Sequence, residues 1–412
     1  MSTDTPALGA GFSWLWTSSA LSNLADGVLK IALPLIALRF TDSPALIAGL
    51  GVALSLPWLL FALPAGALAD RWDRRRSMLG ANAVRCLVLL LLCAAFLGGF
   101  AQLWVLYVAA FVIGCTETLY DTSAQSILPQ LVPAARLDAA NGRLQAAELT
   151  TNQFIGPPLG GVLAAGGAAL AFATPAGLWL VAVGALWMVR GSFRIQRTGT
   201  ATTLRADIGE GLRFLWSNIV LRVLALMVGG FNLATSAMFA VFVLYAVGPA
   251  SPMGLSEPAF GLLLTATAAG AVAGSLLAGQ AAALLGRSRS LLIAIVTGAV
   301  LVGLPALTAN PWAIGASFLV GGLGIALWNV ITVTLRQRIV PAALMGRVNS
   351  GYRLLAWGTM PLGAAAGGLL AEWIGLRPVF AVFGLLTLAL LVGMVWVTDA
   401  RIAQAEDDAA RA

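Results

Sequence analysis

The chain has 412 residues, of which 59% are hydrophobic and only 10% charged, and its mean hydropathy is +0.91. This composition excludes an ordinary soluble globule and indicates a polytopic membrane protein. The net charge of +7 does not indicate nucleic acid binding, because the basic residues stand in short links between apolar runs.

Apolar runs of about 20 residues, the length that crosses a bilayer, recur along the whole chain. The first run contains Asn23 and Asp26 and has no cleavage pattern, so we interpret it as a membrane span and not as a signal peptide. Twelve spans are predicted, at 12–38, 45–69, 77–99, 102–127, 143–167, 169–190, 219–247, 258–284, 289–308, 312–335, 352–371 and 377–398.

The links between the predicted spans alternate in charge. Of the 24 Lys and Arg residues, only Arg39 and Arg377 fall in the links of one side. Because basic links stay in the cytoplasm, we expect a multi-pass protein of the bacterial inner membrane with both termini cytoplasmic. The basic links of the other side lie at 71–76, 136–143, 190–213, 287–289 and 336–347.

The two halves of the chain share short sequences at offsets of 207 to 209 residues. Asn23-Leu-Ala recurs at Asn232, Val132-Pro-Ala-Ala recurs at Val340, and a Gly-Gly pair recurs as well. Six helices is an even number, so we predict an all-α membrane fold of two parallel six-helix repeats related by a pseudo-two-fold axis along the membrane normal. The predicted domains are an N-terminal half at 1–192, a cytoplasmic linker at 193–218 and a C-terminal half at 219–412.

The linker contains Leu204, Ile208, Leu212 and Leu215 at helical spacing. This pattern is compatible with a helix lying at the membrane interface and equally with a plain connector. The charged tail after Thr398 is expected to be frayed.

The link between the second and third spans reads Gly-Ala-Leu-Ala-Asp-Arg-Trp-Asp-Arg-Arg-Arg from residue 66. Arginine bias alone would set topology, but this order of residues resembles the signature loop of the major facilitator superfamily. The resemblance implies a gate on the cytoplasmic side, formed by Gly66, Asp70, Arg71, Arg74 and Arg75. A degraded second copy at 279–289 has Ala283 in place of the acid.

Two further motifs resemble those of particular groups within the superfamily. The sequence Glu117-Thr-Leu-Tyr-Asp121, with the motifs that follow it up to Asn141, is similar to the branch that includes macrolide efflux pumps and the enterobactin exporter. In the fifth span, Gly156-Pro157-Pro158-Leu-Gly160-Gly161 resembles an antiporter signature, although Asn152 stands where that signature has another glycine. A purely structural role, a bent helix packed closely on a neighbour, predicts the same prolines and glycines.

Ionisable side chains inside the predicted spans are candidates for ion coupling, because a charge in a bilayer is costly. Asp26 and Lys30 are one turn apart and either neutralise each other or exchange partners during transport. Glu117 and Asp121 are also one turn apart, and two like charges at that spacing favour retention of one proton. The coupling candidates are Asp26, Lys30, Arg85, Glu117, Asp121 and Glu148.

In this superfamily the first, fourth, seventh and tenth helices line the central path. The half-chain offset pairs Tyr120 with Trp328 and Asp121 with Asn329, and polar and aromatic residues at such positions suit an amphipathic ligand. Interhelical hydrogen bonds are the alternative role for the asparagines. The cavity candidates are Asn23, Tyr120, Asn232, Thr235, Trp328 and Asn329.

The resemblance therefore implies a monomeric secondary transporter that exports an amphipathic small molecule, such as a drug or a siderophore, by alternating access and proton antiport. Its partners would be the small-molecule substrate, the lipid bilayer and protons. No nucleotide-binding loop occurs, and the absence of His together with isolated Cys residues predicts no metal site and no cofactor, so we expect no enzymatic activity. An uptake carrier or a lipid or lysolipid translocator of the same fold, and a membrane sensor or scaffold, remain the alternatives.

Overall fold

The computed structural model of the chain describes residues 8–133, 136–191, 193, 204–248, 250–341 and 344–411. Side chains are described for these residues except at 62–71, 125, 204–208 and 410–411. The described residues are almost entirely helical, and no strand occurs among them. A helix satisfies its backbone hydrogen bonds internally, which is what an apolar chain in lipid requires.

Among the described residues, seven α-helices precede residue 190. They are α1 (Gly9–Ala37), α2 (Pro44–Arg71), α3 (Arg74–Leu97), α4 (Leu103–Leu131), α5 (Leu137–Glu148), α6 (Gly156–Ala165) and α7 (Ala168–Trp187), with a π-helix at Leu149–Ile155.

Nine α-helices follow residue 203 in the part of the chain that the structure describes. They are α8 (Leu204–Ser217), α9 (Ile219–Ala246), α10 (Glu257–Leu285), α11 (Arg287–Leu307), α12 (Pro311–Ile339), α13 (Met345–Gly358), α14 (Met360–Ile374), α15 (Leu376–Ala389) and α16 (Asp399–Arg411), with a 3₁₀ segment at Leu390–Val395.

Eleven helical stretches within the described residues are long and apolar enough to cross a membrane, and each overlaps a predicted span. The remaining predicted span, 143–167, falls on α5, the π-helix and α6. These three segments follow one another without interruption from residue 137 to residue 165.

The described residues divide into two compact units. Unit 1 comprises those within Met1–Phe40, Leu60–Gly199 and Glu257–Leu262. Unit 2 comprises those within Thr41–Leu59, Thr200–Ser256 and Leu263–Ala412. Helices α2 and α10 therefore each contribute residues to both units, whereas every other transmembrane helix belongs to one unit.

In unit 1, glycines allow α1 to approach the fifth predicted span at backbone distance. A Cβ atom added at Gly27 would clash with the Asn152 carbonyl, and one at Gly160 would lie 2.6 Å from the Val28 carbonyl oxygen. Pro157 and Pro158 have no backbone N–H group. The carbonyl groups four residues before them therefore lack the hydrogen-bond donor that an α-helix normally supplies. The chain adopts the wider π spacing there, with the Gly156 N–H bonded to the Thr151 carbonyl.

Unit 2 contains a corresponding close approach between α14 and α9. Cβ atoms added at Gly363 and Gly367 would clash with the carbonyls of Leu233 and Ala237. The next glycine, Gly368, packs against Ala48 at the start of α2.

The linker helix α8 packs on α13. Glu210 accepts a hydrogen bond from Arg347, the side chain of Leu212 lies against Gly351, and Leu215 is buried in the core of unit 2. The helical spacing of the linker leucines thus reflects packing against protein at Leu212 and Leu215.

The chain after Thr398 is a packed helix, so the expectation of a frayed tail was wrong. Ile402 of α16 is 1% exposed, and Glu406 lies 2.6 Å from Arg287 Nη1 and 3.5 Å from Arg338 Nη1. Asp399 accepts a hydrogen bond of 3.0 Å from the Ser288 N–H. The buried Ile402 and the acids Asp399 and Glu406 thus hold this short charged segment in place, although its composition is typical of a disordered tail.

We expect Gly27→Ala to destabilise unit 1 by about 1–3 kcal/mol, because the added methyl group must push α1 away from Asn152. Gly184→Ala is the matched control, since a Cβ there meets nothing within 4 Å. Thermal unfolding in detergent, followed by tryptophan fluorescence, measures the difference. Equal melting temperatures for the two variants would show that the α1 contact is adaptable.

We expect Glu406→Gln to lower the stability of unit 2 by about 1 kcal/mol, because it removes the charge shared by Arg287 and Arg338. Asp407→Asn, at an exposed neighbouring acid, controls for helix α16 itself. Limited proteolysis should release the tail of the Gln variant faster than that of the control. Identical cleavage rates would contradict the role given to Glu406.

Candidate functional site

A buried ion pair joins α1 to α3 in unit 1. Asp26 is 8% exposed and Arg85 is fully buried, and Asp26 Oδ2 lies 3.6 Å from Arg85 Nη1. Sequence spacing offered Lys30 as a partner of Asp26. In the structure Arg85 faces Asp26 across the helix interface, a relation that spacing along one helix does not report.

The guanidinium of Arg85 is fixed by several neighbours. Its Nε donates to Thr116 Oγ1 at 3.2 Å, its Nη1 donates to Asn82 Oδ1 at 3.4 Å, and its Cζ lies 5.3 Å from the ring centroids of both Tyr120 and Trp179. Such contacts offset the loss of hydration that burial of a cation requires.

A second ion pair joins α1 to α4. Lys30 Nζ lies 3.7 Å from Glu117 Oε1, with the Lys30 side chain about half exposed and that of Glu117 17% exposed. Asp121 and Glu148 have no ion-pair partner within 4 Å in the described part of the chain, although both interact electrostatically with Glu117. We call Asp26, Lys30, Arg85, Glu117, Asp121 and Glu148 the charge cluster of unit 1; it holds four carboxylates and two bases.

Three of the cavity candidates meet in unit 2. Asn232, Trp328 and Asn329 line a cavity of about 170 Å³. Asn232 Nδ2 also donates to the Ala356 carbonyl on α13 at 2.7 Å. The other lining residues include Met227, Phe231, Ile295, Tyr352, Trp357 and Leu390.

The other three candidates do not line that cavity. Thr235 Oγ1 donates to the Phe231 carbonyl of its own helix, and Asn23 Nδ2 donates to the Ser19 carbonyl. Tyr120 is 3% exposed and packs beneath Arg85 in the core of unit 1. These contacts are compatible with a structural role, and a place for the three residues in a substrate path stays a prediction.

The predicted gate is partly described. The backbones of Gly66, Asp70 and Arg71 lie in α2, and their side chains are outside the described residues. Arg74 Nη1 donates to the Ser126 carbonyl of α4 at 2.8 Å, and Arg75 donates to the carbonyls that end α7. Both arginines thus bind exposed carbonyl groups of neighbouring helices.

Sequence reasoning missed several residues of these sites. Asn82 is fully buried, accepts from Arg85 and also accepts from Ser22 at 3.1 Å. The signal available was the spacing of three residues between Asn82 and Arg85 on one helix face. Tyr352 and Trp357 belong to none of the sequence motifs. The sequence indicated only that they lie in the predicted span at 352–371.

The comparisons with known proteins agree on the class of protein. The family described as transmembrane secretion effector matches residues 1–412. The chain therefore belongs to this family of the major facilitator superfamily, and it is a multi-pass membrane transporter.

Its relatives include named efflux pumps. The chain is 28% identical to an uncharacterised transporter of this superfamily, YfiS of Bacillus subtilis, over 96% of this chain and 94% of that one. It is 28% identical to the multidrug efflux pump Tap of Mycobacterium tuberculosis over 89% and 88%, and 21% identical to macrolide efflux protein A of Streptococcus pyogenes over 95% and 96%.

Solved structures share the fold at low sequence identity. A point-mutant form of the nucleoside transporter NupG superposes with a TM-score of 0.75 at 13% identity, over 94% of this chain and 100% of that one. At this identity the likeness concerns the fold alone.

We expect Asp26→Asn to cost about 3–5 kcal/mol of stability, because it leaves the buried Arg85 guanidinium without its countercharge. The double variant Asp26→Asn/Arg85→Gln should recover much of that loss, since no uncompensated charge remains. Denaturant unfolding in detergent of the wild type, both single variants and the double variant measures the coupling. Additive losses would mean that the two side chains act independently.

Proposed function

We propose that the protein exports amphipathic small molecules by alternating access, driven by protons that move in the opposite direction. The observation that carries this proposal is the charge cluster of unit 1. Three of its carboxylates and both of its bases lie on helices long and apolar enough to cross a membrane, and Glu148 lies at the end of α5. Ionisable groups persist at such depth only where they are compensated or used. The efflux pumps among the relatives support export of drugs, and a siderophore-like substrate fits the same chemistry.

Within the cluster we infer that Asp121 carries the coupling proton. Asp26 and Glu117 each have a base within 4 Å. Asp121 has no base at that distance among the described residues, and its neighbour Glu117 is a like charge one turn away.

The architecture that we propose has twelve membrane-spanning helices in two six-helix repeats. The uninterrupted helical run at 137–165 would be the twelfth span, broken only by its π-helix. The close approach of Gly160 to α1 and that of Gly367 to α9 support the repeat, because both use the same motif at an offset of 207 residues. The corresponding domains are the two halves at 1–192 and 219–412, joined by the linker at 193–218.

The distribution of arginine supports an orientation in the membrane with both termini in the cytoplasm. Links rich in arginine at 71–76, 287–289 and 336–347 support a cytoplasmic location for that side and for both termini. We propose the bacterial inner membrane as the location and the monomer as the working unit, because the two halves of one chain supply both the charge cluster and the aromatic cavity.

Transport by purified protein in liposomes tests the coupling. With an imposed pH gradient, the wild type should accumulate at least one dye from a panel of cationic, neutral and anionic amphipathic dyes against its gradient. Asp121→Asn should abolish this uphill accumulation and leave downhill exchange intact, because its neutral side chain no longer cycles a proton. A protonophore should have the same effect on the wild type.

Asp42→Asn is the matched control, since Asp42 is an exposed acid outside the charge cluster. Uphill transport that survives Asp121→Asn but not Glu148→Gln would move the coupling role to Glu148. Uphill transport that survives neutralisation of Asp26, Glu117, Asp121 and Glu148 in turn would contradict coupling by this cluster.

A further inference from the structure

The cavity of unit 2 has the opposite electrostatic character to the charge cluster of unit 1. None of the residues that line it carries a carboxylate. Two of its aromatic side chains instead lie under guanidinium groups. Arg336 Cζ is 4.0 Å from the Tyr352 ring centroid, and Arg353 Cζ is 5.3 Å from that of Trp357.

Arg336 has unused hydrogen-bonding capacity. Its Nη1 is buried without a hydrogen-bond partner, and the guanidinium has no ion pair among the described residues. Arg338, two residues further along the same helix, lies 3.5 Å from Glu406. A buried donor without a partner is costly. The Nη1 group of Arg336 is therefore available to donate to an acceptor on a ligand.

Arg336 is connected to the cavity through Tyr352 and is not itself one of the lining residues. Trp328 and Tyr352 both line the cavity, and the Arg336 guanidinium covers the Tyr352 ring. On α12, Trp328 and Arg336 are eight residues apart, so their directions from the helix axis differ by about 80°.

We propose that this cavity binds aromatic acids: amphipathic molecules with an aromatic ring and an anionic group. This inference rests on the proposed function, because it names the substrate class of the same transporter. The ring packs against Trp328, Tyr352 and Trp357, and the anionic group accepts hydrogen bonds from Arg336.

The volume and the side chains fit such a ligand. A cavity of about 150 Å³ is large enough for benzene, so the 170 Å³ measured here holds one aromatic ring. Aromatic side chains bind rings in stacked or edge-on arrangements, and a guanidinium pairs a carboxylate through two parallel hydrogen bonds. A cationic ligand would instead meet like charges, because Arg336 and Arg353 lie beside the aromatic lining.

Calorimetric titration of the detergent-solubilised full-length protein tests the inference with matched ligands. The probes are benzoate, its neutral amide benzamide, and benzylamine, which share one ring and differ in charge. The wild type should bind the benzoate about tenfold more tightly than the amine. Arg336→Gln should weaken benzoate binding at least tenfold and leave amide binding unchanged, because only a charge-assisted hydrogen bond is lost.

Arg338→Gln is the matched control, since it removes an arginine from the same helix end that already has a partner in Glu406. Arg336→Lys should retain part of the preference for benzoate, which separates loss of charge from loss of fold. Equal binding of benzoate and amine by the wild type, or equal effects of the Gln variants at 336 and 338, would overturn the proposal.

These measurements need no pH gradient, so they separate the two proposals. Benzoate binding without uphill transport would leave the aromatic acid site standing and contradict proton-driven export. Uphill export of cationic dyes by a protein that binds no benzoate would support export and contradict the site.

Discussion

The arrangement of unit 1 depends on one fully buried guanidinium. A charge with no access to water is tolerated only when neighbouring groups replace its hydration, so Arg85 requires partners from each helix around it. Asp26 on α1, Thr116 on α4 and Trp179 on α7 supply them. These contacts fix α1 beside α3 and α4, and this in turn brings Lys30 within 3.7 Å of Glu117. The position of the second ion pair therefore follows from the burial of the first.

The two units offer different chemistry to a transported molecule. In the charge cluster of unit 1, four acids outnumber two bases. In unit 2, the cavity is aromatic and its nearby charges are arginines. In the mechanism that we propose, protons bind in one unit and an anionic ring in the other, so the two cargoes use separate side chains. Competition between proton and substrate would then arise from the conformational cycle rather than from a shared site, because each ligand shifts the same equilibrium by its differential affinity.

The sequence allowed a correct expectation of the helical membrane class because apolar length and arginine bias are properties of single segments. It also marked Asp26, Lys30, Glu117 and Arg85 as unusual, since a charge within an apolar run is visible without a structure. The partners were not predictable in the same way. The spacing of four residues predicted that Asp26 lies beside Lys30. In the structure Asp26 pairs with the guanidinium of Arg85 on α3. The distance between two helices cannot be read from one sequence. Tyr352 was missed for the same reason, whereas the spacing of three residues between Asn82 and Arg85 was a signal that could have marked Asn82.

The start of a helix can be capped by an acid next to it in sequence or by one from a distant segment, as the C-terminal helix α16 shows. Helix α3 begins after Asp73, whose carboxylate accepts from the Arg76 N–H and caps the helix. Helix α11 begins after Gly286, which has a φ of +83° and no side chain to serve as an acceptor. Asp399 accepts from the Ser288 N–H instead, and Glu406 faces Arg287. Free N–H groups and positive charge at a helix start attract an acid whatever its origin. In the second copy of the signature loop, where Ala283 stands in place of the acid, Arg287 is therefore compensated by Glu406 of α16.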